Sequence, residues 1–129
     1  MDVYTTHGAF SWSELMTTDP KSATEFYGSL FGWTFDAMPM PQGTYNVVKA
    51  GGTSIGGVMG MPPGSAGMPS MWGCYVTVAD VDATAKRCTE LGGKVIVGPQ
   101  DIPEVGRFAV ILDRQGAALN IITYTPRAA

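Results

Sequence analysis

One histidine and two cysteines are all the imidazole and thiol ligands that 129 residues contain. No H-x-H, H-x-x-x-H or clustered-carboxylate pattern accompanies them, so nothing here reads as a zinc or iron site. His7 stands in a polar stretch over residues 1–8, read as a short loose arm in which a lone histidine is a solvated bystander. A single histidine, so isolated, also builds no Ser-His-Asp arrangement. Cys74 and Cys88 fall on an expected strand and an expected helix; they are read as reduced, mostly buried thiols rather than a redox or metal pair. Charge is scarce as well. Only 15% of residues are charged and the formal net charge is −3, which argues against nucleic acid or an anionic membrane as partner. No apolar run approaches the ~20 residues of a spanning helix, and the start of the chain lacks a basic, apolar secretory pattern. The expectation is a cytoplasmic protein. The glycine stretch at 51–57, GGTSIGG, lacks the strand-to-helix context and the lysine of a phosphate loop.

What the chain does have is a repeat. WSELMTTDPKSATEFYGSLFGW (12–33) and GCYVTVADVDATAKRCTELGG (73–93) both read as a strand, a helix-capping Asp, a helix and a glycine stop. Asp19 aligns with Asp80 at an offset of 61, and Ala23 with Ala83, Phe31 with Leu91 and Gly32 with Gly92 at 60. A period of this length present twice means one supersecondary unit duplicated. Hydrophobic residues make up 45%, enough for one well-filled domain over 1–129. Alternation predicts a strand over 10–16. Asp19-Pro20 starts a helix whose stripe is Ala23, Phe26, Tyr27, Leu30 and Phe31. Strands are predicted over 34–37, 44–50 and 54–60, the last two joined by a Gly51-Gly52 turn. A Pro/Gly/Ser-rich linker covers 61–71. Module two then repeats the order, with strands over 73–78, 94–97, 107–112 and 117–124. The fold class is α+β: two tandem βαβββ modules, 10–60 and 72–124, giving eight strands, two helices and a cavity.

In the first strand Phe10, Trp12, Glu14 and Met16 share one face, while Leu15 points the other way, under the helix. The first face, with Gly73, Tyr75 and Thr77 from module two, is expected to line a shared concavity. Glu14 is the anomaly there, because a carboxylate on such a face has to be paired, hydrogen-bonded or protonated. It is read either as a structural carboxylate or as a ligand-orienting group and acid/base. Tyr75, placed relative to Asp80 as Glu14 is to Asp19, is expected near it, as a donor or as an ordinary core tyrosine. Trp12 and Trp72 either stack on a flat ligand or belong to the core. Six of the eight methionines, Met38, Met40, Met59, Met61, Met68 and Met71, fall between 38 and 71, as an adaptable apolar wall or as ordinary packing. Arg107 is read as decorating a strand start or, alternatively, as binding a ligand carboxylate.

The paired modules, the segment D-P-x-x-A-x-x-F-Y-x-x-L-F-G-W (19–33) and D-R-Q-G-A (113–117) resemble the vicinal oxygen chelate superfamily, which includes glyoxalase I, the bleomycin-resistance proteins and extradiol dioxygenases. W-S-E-L-M-T-T-D, G-G-V-M-G-M-P and D-I-P-E-V-G-R-F-A-V are similar to the small bacterial glyoxalase-like proteins labelled hydroxylases or lyases. The resemblance implies the fold over nearly the whole chain. It does not imply one reaction, since one scaffold hosts isomerases, dioxygenases and binders. It also implies four positions for His, Gln or Glu metal ligands. Those positions fall on Trp12, Gly57, Gly73 and Asn120, a set that cannot hold a divalent ion. No metal and no cofactor are therefore expected.

The resulting expectation is a metal-free protein binding a small apolar or aromatic molecule through Trp12, Glu14, Met16, Met59, Trp72, Tyr75 and Asn120. A metal-independent lyase, isomerase or hydroxylase-associated enzyme using Glu14, with Tyr75, as acid/base is the second reading. A divalent-metal glyoxalase or dioxygenase is the third. A homodimer is the state the resemblance implies.

Overall fold

The computed structural model describes residues 1–40, 43–62, 64–65 and 67–126; part of the expected linker, positions 63 and 66, lies outside them, as do 41 and 42. The elements run β1 (Phe10–Thr17), α1 (Pro20–Phe31), β2 (Thr34–Met40), β3 (Gly43–Ala50), β4 (Thr53–Gly60), β5 (Met71–Thr77), α2 (Val81–Glu90), β6 (Lys94–Ile102), β7 (Gly106–Leu112) and β8 (Ala118–Tyr124). The α+β class and the doubled β-α-β-β-β order are those expected. No described helix is long and apolar enough to cross a membrane.

The chain divides into two compact units, residues 12–73 and residues 1–11 with 74–129. In the first, the strand order is β2-β3-β4-β1, with β1 and β4 parallel and the other pairs antiparallel. Leu15, Val48 and Val58 form its core, and Ala23 and Tyr27 of α1 pack on them with Trp33 and Phe35. In the second, the order is β5-β8-β7-β6, with β5 and β8 parallel. Its core joins Val81 and Ala85 of α2 to Val78, Ala109 and Ile121, with Val76 packed alongside. Leu15 and Val76 thus lie on the helix side of their sheets, as strand alternation requires.

Both helices start on a side-chain cap. The Asp19 carboxylate accepts from Ser22 N and that of Asp80 from Ala83 N, each at 3.0 Å. Pro20 opens α1, where no intrahelical N–H is needed, and Gly32 closes it in the left-handed region at φ 73°.

Three expectations need correction. β2 and β6 run further than predicted, through Pro39 and Pro99 respectively. Each is the outermost strand of its unit, with one side free of a ladder, the setting in which a strand tolerates proline, and β6 absorbs its proline in a bulged stretch. The N-terminal arm is not loose. Gly8 N donates to Thr77 O at 2.7 Å and Thr77 N to Ala9 O at 2.8 Å, while buried Thr77 sends its hydroxyl to Val3 O at 2.6 Å. His7 Nδ1 accepts from Ala79 N at 2.9 Å, and Tyr4 packs edge-on against Tyr124. Cys74 is exposed rather than buried, and Cys88 is partly buried.

Candidate functional site

Opposite Leu15, β1 presents Trp12, Glu14 and Met16, all partly buried. Register sets their neighbours: Glu14 lies beside Gly57 and Met16 beside Met59 on β4, and Gly57 lies beside Val47 on β3. Tyr45, two residues before Val47, comes to the same face, with Met38 of β2 next to it. Gly57 has no side chain, and the Tyr45 ring fills the space above it. A Cβ at position 57 would run into the ring and its hydroxyl.

Trp12 Nε1 donates to the Tyr45 hydroxyl at 2.9 Å, and that hydroxyl donates to Glu14 Oε2 at 2.8 Å. The direction is fixed by chemistry. An indole N–H can only donate, so the phenol oxygen accepts there and its single proton goes to the carboxylate. Glu14 is therefore hydrogen-bonded on a face otherwise made of Trp12, Met16, Met38, Val47 and Met59. Asp36 and Lys49 pair with each other at 2.7 Å on the same side of the outer strands, an exposed ion pair of small energetic weight.

Of the expected site residues, the structure brings Trp12, Glu14, Met16 and Met59 onto one face and adds Tyr45, which sequence reasoning missed. The available signal was a tyrosine in the alternating run 44–50 and a bare Gly56-Gly57 pair. Connecting them needs the β3–β4 register, which no local pattern supplies. Trp72 is a correction: its Nε1 donates to the Tyr27 hydroxyl at 3.2 Å, and its ring packs edge-on against Tyr27 and Trp33. That places it with α1, on the helix side of the sheet, because strand parity separates it from Gly73. Met38 and Met40 belong to β2, beyond the predicted end of that strand at 37.

In the other unit, Tyr75 is buried on β5 in register with Asn120 on β8, and Asn120 Nδ2 donates to Cys74 O at 3.2 Å. Arg107 does more than decorate a strand start. Its guanidinium grips Asp82 through two bonds of 2.8 and 2.9 Å and reaches Asp101 at 3.1 Å. The Arg107 bond holds the Asp82 carboxyl below its ordinary value of 3.8, against partial desolvation. Among the described residues, no three His, Cys, Asp or Glu side chains gather as a metal centre would require.

Doubled β-α-β-β-β units with parallel β1/β4 and β5/β8 pairs define the glyoxalase-like class of α+β proteins. Residues 9–121 match the model of the Glyoxalase/Bleomycin resistance protein/Dioxygenase superfamily, and the chain belongs to that family. A Mycobacterium tuberculosis protein named "Putative glyoxylase CFP32" is 42% identical over 121 residues, covering 93% of this chain and 46% of its own length. The anthracycline biosynthesis protein DnrV of Streptomyces peucetius is 35% identical over 127 residues, covering 88% of this chain and again 46% of its own length. The chain thus spans about half the length of these relatives. Among solved structures, the fold is shared with methylmalonyl-CoA epimerase from Mycobacterium tuberculosis (TM-score 0.67, 15% identity, 92% of this chain and 89% of that one). It is shared too with a hypothetical protein from Bacillus halodurans C-125 (TM-score 0.73, 11% identity, 96% and 99%).

Proposed function

We propose that this chain binds a small apolar or aromatic molecule without a metal ion, on the face of Trp12, Met16 and Met59, with Glu14 as its polar anchor. The observation that carries this reading is the Tyr45 ring lying over Gly57, with its hydroxyl between Trp12 and Glu14. Two of the positions where the family resemblance implies metal ligands, 12 and 57, are thereby given to an indole N–H donor and a bare glycine beneath a phenol. Thioether side chains beside them adapt to varied apolar shapes. The Streptomyces relative is named for anthracycline biosynthesis, and an anthracycline is a planar fused-ring compound of the kind such a face accommodates.

Titration of the protein with N-phenyl-1-naphthylamine, a neutral fluorescent aromatic amine, tests the reading in the presence of EDTA. Saturable binding that weakens about tenfold or more in Glu14→Gln supports it, a loss of roughly 1.4 kcal/mol. Absence of binding, or binding indifferent to Glu14, overturns it.

A second reading keeps the site and adds chemistry: Glu14 moves a proton to or from the bound molecule, as in an isomerase or lyase. The hydrogen bond from Tyr45 favours it, since it aims one carboxylate oxygen on an otherwise apolar face. Turnover in EDTA that Glu14→Gln abolishes separates it from pure binding. A homodimer in the cytoplasm belongs to the same proposal. The exposed Phe26, Leu30 and Phe31 of α1 support the dimer as an apolar surface of the kind that partners cover, and sedimentation measures it.

A further inference from the structure

Resting on the binding reading above, we infer that Lys49 is the anion-binding end of the same site: it takes the carboxylate of an aromatic acid in exchange for that of Asp36. The ligand class is then a fused-ring body carrying one carboxylate. Lys49 and Asp36 stand on the face of Tyr45 and Val47, since the alternate residues Val48 and Phe35 turn to the helix-side core. Register ties the pair to the rest of the site. Asp36 lies beside Val47, Val47 beside Gly57 and Gly57 beside Glu14, so one row crosses all four strands of the unit. At about 4.8 Å per strand the row is about 14 Å long, a span within which a fused-ring body fits.

The ion pair is suited to exchange. Its charges are 2.7 Å apart, but the Lys49 side chain is 33% exposed and that of Asp36 60%. The lysine stem thus lies along the sheet and keeps the ammonium at the site, while the carboxylate opposite stands mostly in water. Among the described residues neither has another ion-pair or side-chain hydrogen-bond partner, so Asp36 can turn to solvent without leaving a third group unpaired. A pair of this exposure contributes little to folding, and an incoming carboxylate replaces one charge contact by another of the same kind. The compact ammonium, with three rotatable donors, accepts either partner. The ring of the ligand adds apolar contact with the sheet that the short Asp36 side chain does not supply. Asp36 is accordingly a competitor of the ligand and not its support.

Two probes of matched shape test this by competition against N-phenyl-1-naphthylamine: 2-naphthoate, an anion at neutral pH, and its neutral isostere 2-naphthamide. The naphthoate is expected to bind at least about threefold tighter than the amide, a factor within what an exposed ion pair supplies. Added salt is expected to shrink that preference. Asp36→Asn removes the competing charge, so it is expected to tighten naphthoate binding by a further factor of about three and to leave the amide unchanged. Lys49→Gln is expected to abolish the preference. A pair serving structure alone predicts otherwise, since either neutralisation would then leave naphthoate binding unchanged or weaken it. Naphthoate no tighter than the amide, a preference unmoved by salt, or an Asp36→Asn protein that binds naphthoate no better than the parent each overturn the inference. Binding of the amine that neither probe displaces does the same and leaves the binding reading standing. Failure of the amine itself to bind overturns the binding reading, and with it this inference.

Discussion

At the scale of single residues, the site turns on a tyrosine and a glycine that face each other across one strand pair. Gly57→Ala is expected to destabilise the fold by about 1–3 kcal/mol, because the added methyl meets the Tyr45 ring in a filled space. The same change made in a Tyr45→Ala background is expected to cost far less. A double-mutant cycle on urea midpoints measures the difference, and additive costs would mean the two residues do not share that space. Asp82 supplies a test of a different kind. Its folded-state pKa lies below 3.8 through Arg107, so its contribution is present above that value and lost as pH falls through the lowered one. Asp82→Asn is therefore expected to lower the urea midpoint slightly at pH 6, with the gap to the parent closing toward pH 2. The effect is small, since the pair is largely exposed and screened by solvent. A gap that widens on acidification would reverse the assigned sign.

At the scale of elements, almost everything governed by local chemistry was legible in the sequence. Asp19-Pro20 and Asp80 announced both helix starts, and alternation announced the inward and outward faces of β1. The predicted strands 34–37 and 94–97 stop short of Pro39 and Pro99, and whether a strand tolerates a proline depends on its being outermost, which is a property of sheet order and not of the strand. The arm was misread for a similar reason. Residues 1–8 are polar, but Thr77 and Ala79 supply their partners from more than seventy positions away. Tyr45 was illegible because its role exists only through β3–β4 register. Trp72 was misplaced because an aromatic suggests a ligand surface, whereas its strand parity puts it with α1. Thr77→Val tests the arm: it keeps the β-branched shape and removes the 2.6 Å bond to Val3 O. Loss of this part-buried bond is expected to cost about 1 kcal/mol, with faster amide exchange concentrated in residues 3–9. Exchange unchanged there would mean the arm is held by its backbone pairing alone.

At the scale of the whole molecule, the metal-free proposal rests on what stands at the four positions where the family resemblance implies ligands. An indole nitrogen at Trp12 keeps its proton and offers no lone pair, and it gives that proton to Tyr45. Gly57 offers no side chain, and the volume a ligand would need is the volume the Tyr45 ring fills. Asn120 holds a neutral amide that turns its nitrogen to a backbone carbonyl, and Gly73 contributes nothing. A divalent first-row ion needs three or four nitrogen, oxygen or sulfur donors converging on one point. One amide oxygen does not meet that requirement. Protein purified without added metal or chelator is accordingly expected to carry far less than one equivalent of Zn, Ni, Fe or Mn by elemental analysis. Dialysis against EDTA is expected to leave its melting temperature and its affinity for N-phenyl-1-naphthylamine unchanged, because binding that stabilises the native state would show as a shift on removal. A full equivalent of metal, lost to EDTA together with stability or binding, would mean that ligands outside these four positions build a centre.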